Sequence, residues 1–83
     1  MSIPSFPNIE NTQVVLLRND LYTGIVKDKN IVTAVNETQE VWTVYDKIED
    51  AINDAKNIVT EYDFIECFIF DKNNTVLKHI TPQ

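Results

Sequence analysis

The spacing of apolar residues changes period partway through positions 46–71. Ile48, Ala51, Ile52, Ala55, Ile58, Val59 and Tyr62 recur in steps of three and four, which gathers them on one face of a helix. Glu49, Asp50, Asn53, Asp54, Lys56, Asn57, Thr60 and Glu61 fill the positions between and make the opposite face polar. Asp46 stands as a candidate N-cap, and Glu49 three residues later completes an Asp-x-x-Glu variant of the capping box. Asp46, Glu49 and Asp50 also suit the positive end of the helix dipole. The spacing predicts a helix over residues 47–61.

From Phe64 the period falls to two. Ile65, Cys67 and Ile69 share one face of a strand, and Phe64, Phe68 and Phe70 the other, interrupted only by Glu66. Apolar residues on both faces mark a central strand covered from both sides. One helix can cover only one of them, so the rest of the chain must supply the second cover.

Upstream, Gln13 to Arg18 is a short apolar run and reads as a first strand, with turn chemistry at Asn19-Asp20. Tyr22 to Lys27 reads as a second strand containing Gly24, the only glycine, where a bulge or a close backbone approach is expected. Asp28-Lys29-Asn30 reads as a tight hairpin turn, Ile31 to Val35 as a third strand and Glu40 to Tyr45 as a fourth. The fourth would place Val41, Thr43 and Tyr45 on one face and Trp42 and Val44 on the other. After the aromatic strand, Asp71 to Thr75 turns the chain, with Asn73-Asn74 suited to the positive φ of a hairpin, and Val76 to Ile80 is the last strand. Short connections make the sheet mostly antiparallel, so the expected fold is α+β in the order ββββ–α–ββ, with the amphipathic helix packed on one sheet face. Residues 13–83 form its single domain.

Residues 1–12, with Pro4 and Pro7, read as an extended N-terminal arm because proline fixes φ and removes donors. Ile3, Phe6 and Ile9 recur every third residue, which would let the arm lay one apolar edge on the domain.

Charge sharpens this picture. The net charge is −6, and residues 46–66 hold Asp46, Glu49, Asp50, Asp54, Glu61, Asp63 and Glu66 against Lys47 and Lys56, so seven minus two, or five, of those charges sit there. Such a face repels nucleic acid and anionic lipid and attracts basic partners. No apolar run approaches the ~18 residues of a membrane span, and residues 1–9 lack the basic and apolar regions of a secretory signal. The expectation is a cytoplasmic protein with neither nucleic acid nor membrane as partner.

The chain is poor in the chemistry of catalysis. Asp71-x-Asn73-x-Thr75 opens like a calcium loop, but Val76 stands where glycine is wanted and Pro82 where the bidentate Glu is wanted. With Cys67 and His79 the only cysteine and histidine, a zinc site of those ligand types cannot reach three ligands. Cys67 lies among Phe and Ile, where desolvation opposes the thiolate a nucleophile needs. One glycine in the chain rules out a Gly-rich phosphate cradle. No enzyme and no cofactor are expected.

Aromatic residues outnumber what one helix can cover: Phe6, Tyr22, Trp42, Tyr45, Tyr62, Phe64, Phe68 and Phe70. The second sheet face could curl on itself, lie under the arm, or meet another protein, with a homodimer the simplest such case. Two functional expectations follow. One is a small acidic protein-binding module, an antagonist or immunity-type inhibitor that blocks a basic partner through Glu49, Asp50, Asp54 and Glu61 on the helix and Trp42, Phe64, Phe68 and Phe70 on the sheet. The other is a homo-oligomer that binds a small anionic ligand in a pocket between subunits, lined by Trp42, Tyr22 and Phe68 with Arg18 or Lys78 on the anionic group.

Overall fold

The computed structural model describes residues 3–82; the first two residues of the arm and Gln83 lie outside them. The fold is α+β, one open antiparallel sheet of five strands with one helix: β1 (Val14–Asp20), β2 (Val26–Lys27), β3 (Thr43–Tyr45), α1 (Ile48–Glu61), β4 (Ile65–Phe70) and β5 (Val76–Ile80). The sheet runs β2-β1-β4-β5, and β3 joins the same edge of β1 as β2, further towards the start of that strand. β1 and β4 are the centre, paired from Val15 opposite Phe70 to Asp20 opposite Ile65.

The alternation in β4 comes out as expected, with Ile65, Cys67 and Ile69 fully buried and Glu66, Phe68 and Phe70 half-buried on the other face. Val14 and Leu16 of β1 join the first set, and Ala51, Ala55 and Val59 of α1 close over them. The small alanines let the helix approach the sheet closely. The helix matches its predicted span within a residue, but its cap does not. Lys47 is the capping residue and makes no side-chain cap bond, because the Asp46 carboxylate accepts instead from Gln13 Nε2 at 2.9 Å, tying the helix start to the strand it covers.

The expected third strand is absent, and the second and fourth shrink. Residues 31–35 retain only an isolated bridge between Lys27 and Thr33. The cause is Asp28, whose carboxylate accepts from the backbone N–H of Asn30 at 2.8 Å and of Val32 at 3.1 Å, and from Gln39 Nε2 at 2.9 Å. Local side-chain bonds of this kind compete with the ladder for the same donors. They turn the chain so tightly that Ile31 takes φ = 62°, a left-handed conformation unfavourable for a β-branched residue; burial of part of its side chain against the core offsets this. At the far end of the loop, Lys29 N–H and Arg18 Nη2 both donate to the Glu40 carbonyl, so β3 begins only at Thr43. Gly24 sits in the turn after β1 rather than inside a strand, with φ = 75° and nothing within 4 Å of a Cβ placed there. Its requirement is conformational, not a close approach. Asn74 takes the positive φ (63°) of the β4–β5 turn, and Asp71 Oδ1 accepts from Asn73 N–H and Thr75 N–H.

The arm supplies part of the second cover. Phe6 lies edge-to-face against Trp42 (5.2 Å between centroids) and against Phe70 (6.0 Å), and Trp42 meets Phe70 at 6.0 Å. Trp42 Nε1 donates to the Pro4 carbonyl at 2.9 Å, so the indole's one donor is satisfied by the arm itself. Phe6→Ala should therefore shift Trp42 emission to the red and lower stability by about 2–4 kcal/mol, as expected for loss of a packed aromatic with two edge contacts; unchanged emission would show that the arm does not hold the indole in solution.

Burial pushes the Asp28 carboxyl up, but the bonds from Gln39, Val32 and Asn30 and the Arg18 charge pull it further down, leaving it below the usual carboxylate range. A depressed folded value means that its contribution is complete above the unfolded value of about 3.9 and disappears as pH falls through the folded one. Asp28→Ala should destabilise by about 2–3 kcal/mol at pH 7, and the gap to wild type should narrow below about pH 4. Equal denaturant midpoints at pH 7 would remove Asp28 as the organiser of the loop.

Candidate functional site

Two concave regions flank α1. The first lies between the second half of the helix and β5, where Val59, Ile80 and Pro82 form an apolar floor and Lys56, Thr60 and Asp63 a polar rim. The second, about 320 Å³, lies between the other side of α1 and the segment from β1 through the 28–42 loop to β3. Asp54, Asn57, Ile58 and Glu61 line it from the helix, and Arg18, Lys29, Glu40, Thr43 and Tyr45 from the sheet and loop.

The second cleft holds most of the polar organisation. Helical spacing places Asp54, Asn57, Ile58 and Glu61 along one edge of α1. Opposite them, strand alternation carries Val14, Leu16 and Arg18 to the helix side of β1. Arg18 is only 3% exposed, and its Nη2 donates to the Val41 carbonyl at 3.1 Å and to Thr43 Oγ1 at 2.8 Å. Burial lowers its pKa, opposed by the negative groups around it, Glu40 and Asp28 among them; a guanidinium nonetheless stays charged. Tyr45 donates its hydroxyl to Asp54 Oδ2 at 2.8 Å. Burial first, then the Asp54 carboxylate, push that phenol well above its ordinary value, so it remains a donor. Lys29 Nζ and Glu40 Oε1 stand 3.5 Å apart at the rim, both substantially exposed.

The residues expected at a contact surface do not form one patch. Glu49 and Asp50 lie exposed in the first helical turn, while Asp54 and Glu61 border the cleft further along. Trp42 and Phe70 come together on the second sheet face, half-buried under Phe6. Phe68 is on that face too, stacked on the His79 ring at 4.3 Å with the planes 1° apart, and His79 Nε2 lies 2.7 Å from Glu66 Oε1. Phe64 stands apart, in the turn before β4 and edge-on to Tyr62 at 6.0 Å. Tyr22 projects from the turn after β1, 79% exposed.

Cys67 and His79, on neighbouring strands, fall on opposite faces, since Cys67 pairs with Ile80 and His79 with Phe68. Burial pushes the Cys67 thiol up to about 11, against the pull of the Arg18 charge. Among the described residues no group of three or more His, Cys, Asp or Glu side chains is placed to hold a metal ion, and no helix is long and apolar enough to cross a membrane. Phe6 lies on the domain as an apolar arm edge should, whereas Arg18, expected beside Trp42 and Phe68, falls on the opposite, helix side of the sheet. Alternation along β1 is the signal that would have put it there, and the Tyr45–Asp54 bond had no signal in the sequence.

Comparison with known proteins finds no protein family, no curated protein and no solved structure that matches this chain.

Proposed function

We propose that this protein is a small, acidic, non-catalytic binding module that acts as an antagonist or immunity-type inhibitor, covering a basic surface of a partner protein with α1. The observation that supports the reading is the state of the helix carboxylates. Glu49, Asp50, Asp54 and Glu61 are all exposed, and among the described residues the ion pairs are Lys29–Glu40 and His79–Glu66, neither of which neutralises a helix carboxylate. Uncompensated negative charges spread along a rigid element raise the local field and steer a cationic surface towards it.

The sheet face contributes less to this reading than the helix. Its centre is taken by the chain's own Phe6 and Trp42, which leaves Val44 (40% exposed) on one flank and Val76 (50%) and Leu77 (41%) on the other for contact with a second copy or with the partner.

A charge-reversed helix start separates this proposal from its rivals. Glu49→Lys with Asp50→Lys lies away from the buried stripe and should keep the fold, with a loss of about 1–2 kcal/mol as two favourable dipole interactions reverse. Capture of a basic protein from the host by the wild type should fail with the double variant. It should also weaken steeply between about 50 and 500 mM salt, where the screening length falls from about 14 Å to about 4 Å. Capture that survives both changes would overturn the helix-face reading.

A further inference from the structure

Arg18 is the chain's single arginine, and its buried charge lacks what such a charge ordinarily has. A guanidinium taken out of water is stable when a carboxylate stands against it and its donors are bonded. Among the described residues no carboxylate lies within ion-pair distance of Arg18. The Asp28 carboxylate acts on it through space, and the Glu40 carboxylate through space and through Thr43, whose hydroxyl accepts from Arg18 Nη2 and donates to Glu40 Oε2 at 3.0 Å. Its hydrogen bonds all run through Nη2. Nε is buried with no acceptor. This side chain forms part of the wall of the 320 Å³ cleft, a volume at the lower end of small-molecule pockets.

The charges around the cleft decide what kind of ligand suits it. Arg18 and Lys29 contribute two positive charges, and Glu40, Asp54 and Glu61 three negative ones, so two minus three leaves the lining at −1. A simple anion would meet a net repulsive field, and a simple cation would leave the Arg18 donors unbonded. We infer that the cleft binds a small amino-carboxylate, its carboxylate accepting from the Arg18 guanidinium and its ammonium held by the α1 carboxylates on the facing wall. Asp54 already accepts from Tyr45 through Oδ2, which leaves Oδ1 for the ammonium. Access to Arg18 runs past the Lys29–Glu40 pair, whose side chains are 57% and 42% exposed. A pair so exposed contributes little to stability, so Lys29 can swing aside while Glu40 keeps the bond it accepts from the Thr43 hydroxyl at 3.0 Å.

The lone arginine makes the test direct, because a ¹⁵N-labelled sample has one arginine Nε–H resonance to follow. The probes are 6-aminohexanoate, hexanoate and hexylamine, which share a chain length and differ in the charges they carry. 6-Aminohexanoate should shift the Arg18 Nε–H signal saturably, with hexanoate and hexylamine each weaker by about tenfold or more. Glu61→Gln, a change at an exposed position, should weaken 6-aminohexanoate severalfold and, by removing one repelling charge, leave hexanoate binding no weaker than before. An Nε–H signal unmoved by 6-aminohexanoate at tens of millimolar would overturn the inference. So would hexylamine binding as well as 6-aminohexanoate, which would mean that the acidic rim alone acts. So would hexanoate binding as well as 6-aminohexanoate, which would mean that the α1 carboxylates take no part. The Glu49→Lys, Asp50→Lys double variant changes neither wall, so it should bind 6-aminohexanoate like the wild type even if the helix-face contact is lost.

Discussion

A positive charge enclosed in a small protein constrains everything near it, and here the loop between β2 and β3 is shaped around Arg18. The guanidinium draws the Glu40 and Val41 carbonyls and the Thr43 hydroxyl towards β1. Asp28, the other buried charged residue, holds the opposite end of the loop through Asn30, Val32 and Gln39. Between these two anchors the chain has no need of a ladder to satisfy its polar groups: Gln39 Oε1 accepts from Val35 N–H and Asn36 N–H, and Gln39 Nε2 donates to the Thr33 carbonyl. Val41, fully buried, is carried into the interior by the same arrangement. Charge burial and loop order are one feature, since loss of either end would leave polar groups inside without partners.

The two faces of β4 are closed by different means. The helix side is aliphatic, built from Ile65, Cys67 and Ile69 against the small side chains of α1. The other side is aromatic, and an extended arm closes part of it rather than a second helix. An arm cannot bury a continuous apolar stripe, but Phe6 reaches two rings at once and Pro4 offers a carbonyl where the indole N–H needs one. For a chain of this length, a second covered face adds materially to the apolar surface removed from water.

What could be read from the sequence divides along the line between periodic and local effects. The helix and β4 were legible because each repeats its pattern over several turns or residues, and burial follows that pattern. Ile31 to Val35 looked equally strand-like in composition, yet Asp28 captures its first donors and Ile31 turns the wrong way for a ladder. One carboxylate at the right offset outweighed the β-propensity of four branched residues, Ile31, Val32, Thr33 and Val35. Asp46 failed as a cap for a similar reason, since Gln13, more than thirty residues earlier, competes for its oxygen. The acidic stripe of α1 was visible in the spacing. The cleft beside it was not, because its far wall comes from Arg18, Lys29, Glu40, Thr43 and Tyr45, and only the sheet pairing brings these together.

The central pairing has a consequence for how the chain is made. β1 is made before β4, its main partner, and Val15 must wait for Phe70, 55 residues later. Until then the nascent strand has only the short β2 and β3 beside it, and the apolar sequence Val14-Val15-Leu16-Leu17 lies open to other chains. Contacts this distant along the chain slow folding and lengthen the interval in which an unpaired edge can find the wrong partner. The arm adds to the delay, because Phe6 finds its place on Phe70 only once the chain has grown 64 residues beyond it.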